Sequence, residues 1–214
     1  EMDEHEKYPF EVFAKFKEAG LPAIMYPEEY GGAGLGLFAS IMFAEIVSEY
    51  CLGVNTAISA TKLGALPIEH GGTEEQKKKY LSAFASGEKI GAFGLTEPNA
   101  GSDVPNLSTT AVKKGDRYVL NGTKQWISNS GVADVYTIFA LTDKSKGPRG
   151  MSCFIVEKDT PGLSYGKLEQ KMGIRCSHTR QVILEDCEVP EENLVGLKPN
   201  RGFIHAFQTL SSSR

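Results

Sequence analysis

The hydrophobic periodicity of the chain changes at one point, and that change limits the folds it can adopt. Before Gly91, apolar residues recur at helical spacing, as in PFEVFAKFKEAGL, which predicts a helix that ends at Gly20. After Gly91, short apolar runs such as VYTIFAL, CFIVE and RQVILEDCEV lie between turn residues and predict strands. We therefore predict an α+β protein with an N-terminal helical domain over residues 1–90 and a middle β domain over residues 91–198. The spacing of the strands favours an antiparallel barrel or sandwich.

Three further segments of the first half read as helices. Two of them, LFASIMFAEIVSEYC and VNTAISATKLGALPIEHG, are apolar around much of their circumference, which indicates burial within a bundle. The third, TEEQKKKYLSAFASG, begins with a predicted capping box formed by Thr73 and Gln76. It also carries two favourable i,i+4 pairs, Glu74 with Lys78 and Glu75 with Lys79.

Turn signals and a return to helical spacing divide the second half of the chain. Gly115-Asp116 and Asn121-Gly122 predict turns between strands. Residues 199–214, PNRGFIHAFQTLSSSR, predict the first turns of a C-terminal helical bundle domain. Their apolar residues fall on one stripe and indicate that further protein packs there: Phe203, Ala206, Phe207 and Leu210.

Charge and composition exclude several classes of function. A net charge of -4 and a pI near 5.7 argue against a nucleic-acid partner, because such proteins usually present a basic face. No apolar run approaches the roughly 20 residues of a membrane span, so none is predicted. The four cysteines and four histidines are scattered without ligand spacing, which predicts buried thiols and no metal site.

The stretch GAFGLTEPNAGSD begins as a buried strand and ends in a polar turn. Thr96 and Ser102 supply hydroxyls, and the turn at Gly101 can expose backbone N–H groups, which suits the phosphates and heteroatoms of a nucleotide-like cofactor. About thirty residues on, KQWISNSG offers Trp126 to cover a planar ring and Ser128 to donate to it. Taken alone, a polar turn of this kind more often has a structural role only. The two segments together predict a site for a ring cofactor.

Four ordered segments give the chain a resemblance to a known family. GLTEPNAGSD, NGTKQWISN, KMGIRCSHTRQVILEDCEVPEENLVG and NRGFIHAFQTLSSSR closely resemble the acyl-CoA dehydrogenase family, in register along the entire chain. The resemblance implies FAD as cofactor and α,β-dehydrogenation of acyl-CoA thioesters. Within the family, the sequence is most similar to members that act on straight-chain, short-to-medium substrates. It also implies that an electron-transferring flavoprotein accepts the electrons and that the protein forms homotetramers or dimers.

The resemblance also implies roles for individual residues. Thr96 would bond the pyrimidine side of the flavin, Ser102 would reach the pyrophosphate and the acyl-CoA, and Trp126 would pack against the ring. Ser128, which stands where Thr is commonest, would bond flavin N5. The implied FAD-binding set is Phe93, Leu95, Thr96, Gly101, Ser102, Trp126, Ile127 and Ser128, and the implied substrate-binding set is Ser102, Ser211 and Arg214.

No residue of this chain is expected to act as the catalytic base. In the family the usual Glu lies in the C-terminal helical domain, which these residues lack, and the position used by a minority of members is Ser213 here. We expect Glu97 and Asp103 to fix the turn. Asn55, Thr56 and Ser59 fall where relatives set the depth of the acyl pocket, although ordinary helix packing would also explain them.

Two other functions stay open from the sequence. One is a flavin or CoA binding module without catalysis, and the other is an acyl-CoA oxidase of the same superfamily. Free thiols suit either the bacterial cytoplasm or the mitochondrial matrix, since both are reducing.

Overall fold

A computed structural model describes residues 2–213 of the chain. In the described residues, three α-helices precede a β-sheet and one follows it: α1 (Phe10–Glu18), α2 (Gly36–Gly71), α3 (Glu74–Ala85) and α4 (Gly202–Ser212). Gly20 is left-handed just after α1, as its predicted role as a helix stop requires. The capping box that starts α3 is confirmed, with both the Thr73 and the Gln76 side chains bonded as predicted. The i,i+4 pairs are wrong in detail, because Glu74 pairs with Lys77 and Lys79 reaches Glu157.

Helix α2 contains both predicted apolar helices, joined end to end at Cys51. The backbone of Cys51 is extended (φ -161°, ψ 105°), so the helix is interrupted there. The part after Cys51 is buried as predicted, but the part before it is not. Its large apolar side chains are exposed among the described residues: Leu37, Phe38, Ile41, Met42, Ile46 and Tyr50.

By length and apolar composition alone, α2 would suffice to cross a membrane, with a mean hydropathy of 1.6 over its most apolar window. This corrects the sequence analysis, which found no run of that kind. Two structural facts oppose a spanning role. The break at Cys51 interrupts the helix, and the part after it carries the Lys62–Glu69 ion pair and packs into the protein core.

The second half of the chain forms one curled, seven-stranded sheet. Its order is β1-β4-β2-β3-β7-β6, and β5 pairs with β4. The strands are β1 (Gly91–Gly94), β2 (Thr110–Lys114), β3 (Arg117–Ser128), β4 (Val135–Leu141), β5 (Met151–Glu157), β6 (Leu163–Tyr165) and β7 (Thr179–Pro190). The α+β class is confirmed.

The sheet is mixed, where the spacing of the strands favoured purely antiparallel pairing. β1 runs parallel to β4 from Gly91↔Val135 to Gly94↔Ile138, and β2 meets β4 in parallel at Thr110↔Leu141. β1 and β4 are not consecutive in sequence, so no hairpin forces them to be antiparallel.

Only one of the two predicted turns is a turn. Gly115 and Asp116 join β2 to β3, and Gly115 has φ 62°. Asn121 and Gly122 instead lie inside β3, where the pairing with β7 shifts register at a β-bulge. An Asn-Gly pair supports either structure, because Gly tolerates the backbone angles of a bulge as well as those of a turn.

Helix α2 packs directly on the edge of the sheet at β1. Gly64 makes the close approach possible, since a Cβ atom there would lie 2.8 Å from the backbone nitrogen of Ala92. Asn129, which follows β3 and is fully buried, strengthens the contact. Its side-chain amide donates to the Ala57 carbonyl of α2 at 2.9 Å and to the Gly91 carbonyl of β1 at 3.0 Å.

Helix α4 confirms the helix predicted after the strands. Part of its apolar stripe is buried and part is exposed. Ala206 is buried and Leu210 packs against the core between the helices and the sheet, whereas Phe203 and Phe207 are exposed. Two aromatic side chains of α4 therefore stay uncovered by the described residues.

Candidate functional site

The polar turn after β1 is stabilised by its own backbone. The N–H of Glu97 donates to the Ala100 carbonyl at 3.0 Å, and the N–H of Ala100 donates back to Glu97 at 3.1 Å. This bridge turns the chain sharply between Thr96 and Gly101, as the Pro, Asn and Gly residues of the segment predict. Gly101 and Ser102 lie exposed just beyond it.

Glu97 holds the turn from inside. Its carboxylate accepts hydrogen bonds from the N–H groups of Ser108 at 2.7 Å and Thr109 at 3.0 Å, and from the Lys124 ammonium at 2.7 Å. Burial alone would raise the pKa of Glu97, but the Lys124 charge and these hydrogen bonds outweigh it and lower the pKa to about 2. Glu97 therefore fixes the turn, as expected from the sequence.

Lys124 is the structural partner that sequence reasoning missed. Its ammonium also donates to the Leu95 carbonyl at 3.2 Å, so one buried side chain joins β3 to the start of the turn at two points. Burial lowers the pKa of Lys124 to about 8, and Glu97 opposes that shift. A sequence signal for it existed: an acid directly after a buried strand needs a counter-charge.

A second β-bulge places Trp126 beside the turn. The pairing of β3 with β7 skips a residue between Lys124 and Ile127, and Trp126 there has a left-handed backbone with φ 59°. A bulky residue in that region is strained, and a bulge commonly re-aims a side chain next to a functional site. The Trp126 side chain is 61% exposed, although its strand is otherwise mostly buried.

The structure brings the two predicted segments into direct contact. The N–H of Gln125 donates to the Thr96 carbonyl at 2.8 Å, so the turn and the bulge share a backbone hydrogen bond. A half-buried hydroxyl residue, Thr96, and an exposed indole, Trp126, thus lie in neighbouring segments where β1 and β3 end, a region called the Trp126 edge below. Among residues 2–213, no acceptor pairs with the backbone N–H groups of Gly101 and Ser102, which stay available to a ligand.

The remaining predicted cofactor residues lie deeper. Leu95 and Ile127 are buried in apolar clusters, and Phe93 is half-buried with its ring centroid 5.3 Å from that of Phe139. Ser128 ends β3 opposite Thr179 and is half-buried. Leu95, Ile127 and Phe93 can support the edge from inside, while Thr96, Ser102, Trp126 and Ser128 keep polar or aromatic groups at least partly accessible.

The predicted substrate residues at the end of α4 lie elsewhere. Ser211 is exposed, and Arg214 falls outside the described residues. The neighbouring Ser212 hydroxyl lies 3.2 Å from Nε2 of His70, so this end of α4 contacts the end of α2. Ser213, the position of the minority base, is exposed and caps the helix.

Helices α2 and α4 and the loops after α1 line an open cavity of about 740 Å³. Its wall includes Ser59, one of the predicted pocket residues, together with Lys62, His70 and Ser213. Lys62 pairs with Glu69 and places its ammonium 4.6 Å from the ring centre of Tyr26. The volume matches that of small-molecule pockets, and its lining is mainly apolar with a few polar groups.

Within residues 2–213, no group of three or more His, Cys, Asp and Glu side chains could hold a metal ion. The groups that the Trp126 edge offers are hydroxyls, backbone N–H groups and one indole.

Comparison with known proteins identifies the relatives of this chain. Residues 1–88 match the model of the acyl-CoA dehydrogenase N-terminal domain, and residues 92–187 match that of the acyl-CoA dehydrogenase middle domain. A short-chain specific acyl-CoA dehydrogenase of Clostridium acetobutylicum is 49% identical over 215 residues, which cover 100% of this chain and 56% of that protein. The chain thus spans about half the length of the curated relatives that it matches.

Solved structures agree with the sequence comparison. A chain from work on the electron transferring flavoprotein of Acidaminococcus fermentans superposes with a TM-score of 0.95 at 48% identity, covering 99% of this chain and 56% of that one. An acyl-CoA dehydrogenase complexed with FAD, from Bacillus anthracis, gives 0.88 at 46% identity, covering 95% and 35%. Two consecutive domain matches, high identity and a shared fold lead to one conclusion: the chain belongs to the acyl-CoA dehydrogenase family.

Proposed function

We propose that this chain forms the flavin-binding half of an FAD-dependent acyl-CoA dehydrogenase acting on straight-chain, short-to-medium thioesters. One observation carries the proposal: the shared hydrogen bond between Gln125 and Thr96 sets a polar turn beside the exposed Trp126. A relative that is complexed with FAD and another that is short-chain specific support the cofactor and the substrate class.

The residues present fit a flavin dinucleotide. Trp126 offers an exposed aromatic surface for the ring, and the Thr96 and Ser128 hydroxyls can bond its heteroatoms. The free N–H groups of Gly101 and Ser102 suit a pyrophosphate, which backbone N–H groups in a turn bind readily. FAD would supply the hydride acceptor, and the chain would bind and orient it.

In this reaction a base must remove the proton from the α carbon of the acyl-CoA, and that base must come from outside the Trp126 edge. Glu97 is ionised but buried 2.7 Å from Lys124, so it faces away from solvent and cannot reach a substrate. In the proposed enzyme the base comes from the half that these residues do not represent. The chain would contribute the flavin edge and, at Ser59, part of the acyl pocket.

Partners, assembly and compartment follow from the same proposal. An electron-transferring flavoprotein would accept the electrons, as the match to a chain studied with such a protein supports. The exposed apolar side chains of α2 and α4 would be covered in a homo-oligomer, dimeric or tetrameric. All four cysteines carry free thiols, which suits the bacterial cytoplasm or the mitochondrial matrix.

The chain offers a direct reporter for the first test. Trp126 is the only tryptophan, so its fluorescence reports on the proposed site without interference. We expect titration with FAD to quench this emission and desalting to leave flavin absorbance with the protein. Lys113→Met, on an exposed strand position away from the bulge, serves as the control and should bind equally. FAD that is retained without any change in Trp126 emission would contradict the proposed site.

The second test concerns the reaction. The complete enzyme should bleach its flavin when butyryl-CoA is added without oxygen. Flavin that stays oxidised with every short and medium acyl-CoA would favour the second candidate, a flavin or CoA binding module without catalysis. That candidate is motivated by the absence of an accessible base at the Trp126 edge of the described residues. Rapid reoxidation of the reduced flavin by air would instead indicate an oxidase.

A further inference from the structure

Two cysteines from distant parts of the chain lie side by side outside the proposed flavin edge. The sulfur atoms of Cys51 and Cys176 are 4.0 Å apart, although the residues are separated by 125 positions in sequence. Both are free thiols. A disulfide bond is about 2.05 Å long, so the sulfurs need to approach by only about 2 Å to form one.

The surroundings of Cys176 hold its thiol against helix α2. Its N–H donates to the Asp3 carboxylate at 3.0 Å, and the adjacent Arg175 pairs with Glu6 at 2.8 Å. On the helix side, a Cβ atom at Gly53 would lie 2.5 Å from the Cys176 sulfur. The glycine therefore makes room for the thiol two residues beyond Cys51.

Both sulfurs are carried by backbone that can adjust. Cys51 occupies the break in α2, and residues 166–178, which carry Cys176, contain neither helix nor strand. Irregular segments deform at lower cost than continuous helices or paired strands. Cys51 is half-buried whereas Cys176 is buried, so a small reagent reaches Cys51 first.

We propose that Cys51 and Cys176 form an oxidation-sensitive modification site, which a low-molecular-weight disulfide such as oxidised glutathione converts to an intramolecular disulfide. The Cys51 thiolate attacks one glutathione sulfur, which forms a mixed disulfide and releases one glutathione thiolate. The Cys176 thiolate then attacks the Cys51 sulfur and releases the second glutathione. Two protein thiols lose two electrons and two protons, and one small disulfide is reduced to two thiols.

The second step limits the rate. Burial raises the pKa of Cys176, with smaller contributions from the neighbouring Cys51 thiol and the Asp3 carboxylate, so few Cys176 side chains are thiolates near neutral pH. Closure should therefore accelerate about tenfold for each unit of pH, as long as the pH stays below this raised pKa. The bond links helix α2 to the loop between β6 and β7, and it constrains the unfolded chain across a sequence separation of 125.

The other two cysteines act as internal controls. Cys153 and Cys187 are fully buried, and burial also raises the pKa of each thiol. Neither thiol should react while the protein is folded.

The test is to incubate the reduced, folded protein with oxidised glutathione and then to alkylate it in denaturant. We expect two of the four thiols to escape alkylation, non-reducing peptide mapping to recover a Cys51–Cys176 peptide, and the melting temperature to rise. Four alkylated thiols, or a linkage between any other pair, would overturn the proposal.

Matched variants separate the two steps. Cys176→Ser should stop at the mixed disulfide and retain one glutathione on Cys51, while Cys51→Ser should retain none. Cys187→Ser keeps the proposed pair and should form the linkage at the wild-type rate. Equal glutathione incorporation in Cys51→Ser and Cys176→Ser would refute the assigned order. The wild-type mapping needs no variant to fold, so the proposal stays testable if a substitution destabilises the protein.

Discussion

Replacing Lys124 by methionine would leave the Glu97 carboxylate buried without its counter-charge. The two side chains are 0% and 2% exposed and their charged atoms are 2.7 Å apart. After the change, Glu97 would keep its hydrogen bonds from Ser108 and Thr109. Removing one partner of a buried pair typically costs about 3–5 kcal/mol of unfolding free energy.

The pKa of Glu97 gives an independent estimate of that cost. Its fall from 4.5 to about 2 corresponds to about 3 kcal/mol of stabilisation of the ionised carboxylate, contributed jointly by Lys124 and the hydrogen bonds. Burial lowers the pKa of Lys124, so keeping the ammonium charged costs free energy that offsets much of this gain. The pair as a whole is therefore close to neutral, while either residue left alone is strongly destabilising.

Urea unfolding of four proteins tests this reasoning. Lys124→Met should lower the unfolding free energy by about 3–5 kcal/mol, and the double variant Glu97→Gln with Lys124→Met should recover most of it, with the slope of the transition unchanged. The control is Lys113→Met, which breaks a surface pair with Glu191 whose side chains are 48% and 46% exposed. It should cost under about 1 kcal/mol. A loss below about 1 kcal/mol for Lys124→Met, or additive effects in the double variant, would refute the account.

Three further outcomes are expected from the same coordinates. Because the folded pKa of Glu97 lies below its unfolded value, its stabilisation is complete above about pH 4.5 and is lost as the pH falls toward about 2. As the pH falls through that range, the urea concentration at the unfolding midpoint should therefore fall less steeply for Glu97→Gln than for the unmodified protein. Equal dependence of the two midpoints on pH would contradict this. Gly64→Ala brings a methyl group to 2.8 Å from the Ala92 nitrogen and should cost about 1–3 kcal/mol in the same assay, whereas Gly101→Ala meets no atom within 4 Å and should cost almost nothing. Trp126→Gly removes the strain of a tryptophan backbone in the left-handed region and also removes an exposed side chain, so the unfolding free energy should change by no more than about 1 kcal/mol. The amount of FAD retained after desalting should fall sharply. A loss of several kcal/mol would instead make Trp126 a core residue.

The sequence predicted the local structures that depend on near neighbours. The capping box at Thr73, the hairpin turn at Gly115 and the polar turn after β1 all follow from residues within a few positions of one another. The same kind of signal was ambiguous at Asn121-Gly122, which suits a bulge as well as a turn. Local chemistry restricts the backbone angles but does not select the strand that pairs with it.

The sequence identified residues of the candidate site but not the contacts that hold them in place. Trp126 and Thr96 were named from their chemistry, whereas the bulge that exposes the indole depends on the register between β3 and β7. Lys124 was missed because its partner Glu97 is 27 positions away and only the folded sheet buries both.

The sequence by itself determined the helical and strand-forming segments, the polar turn and the membership of the family, because these depend on side-chain type and order. Tertiary structure alone decided the parallel pairing of β1 with β4, the buried ion pair beneath the turn and the meeting of Cys51 with Cys176. Each of these joins residues far apart in the chain. Their contact depends on how the whole core packs, which no local pattern encodes.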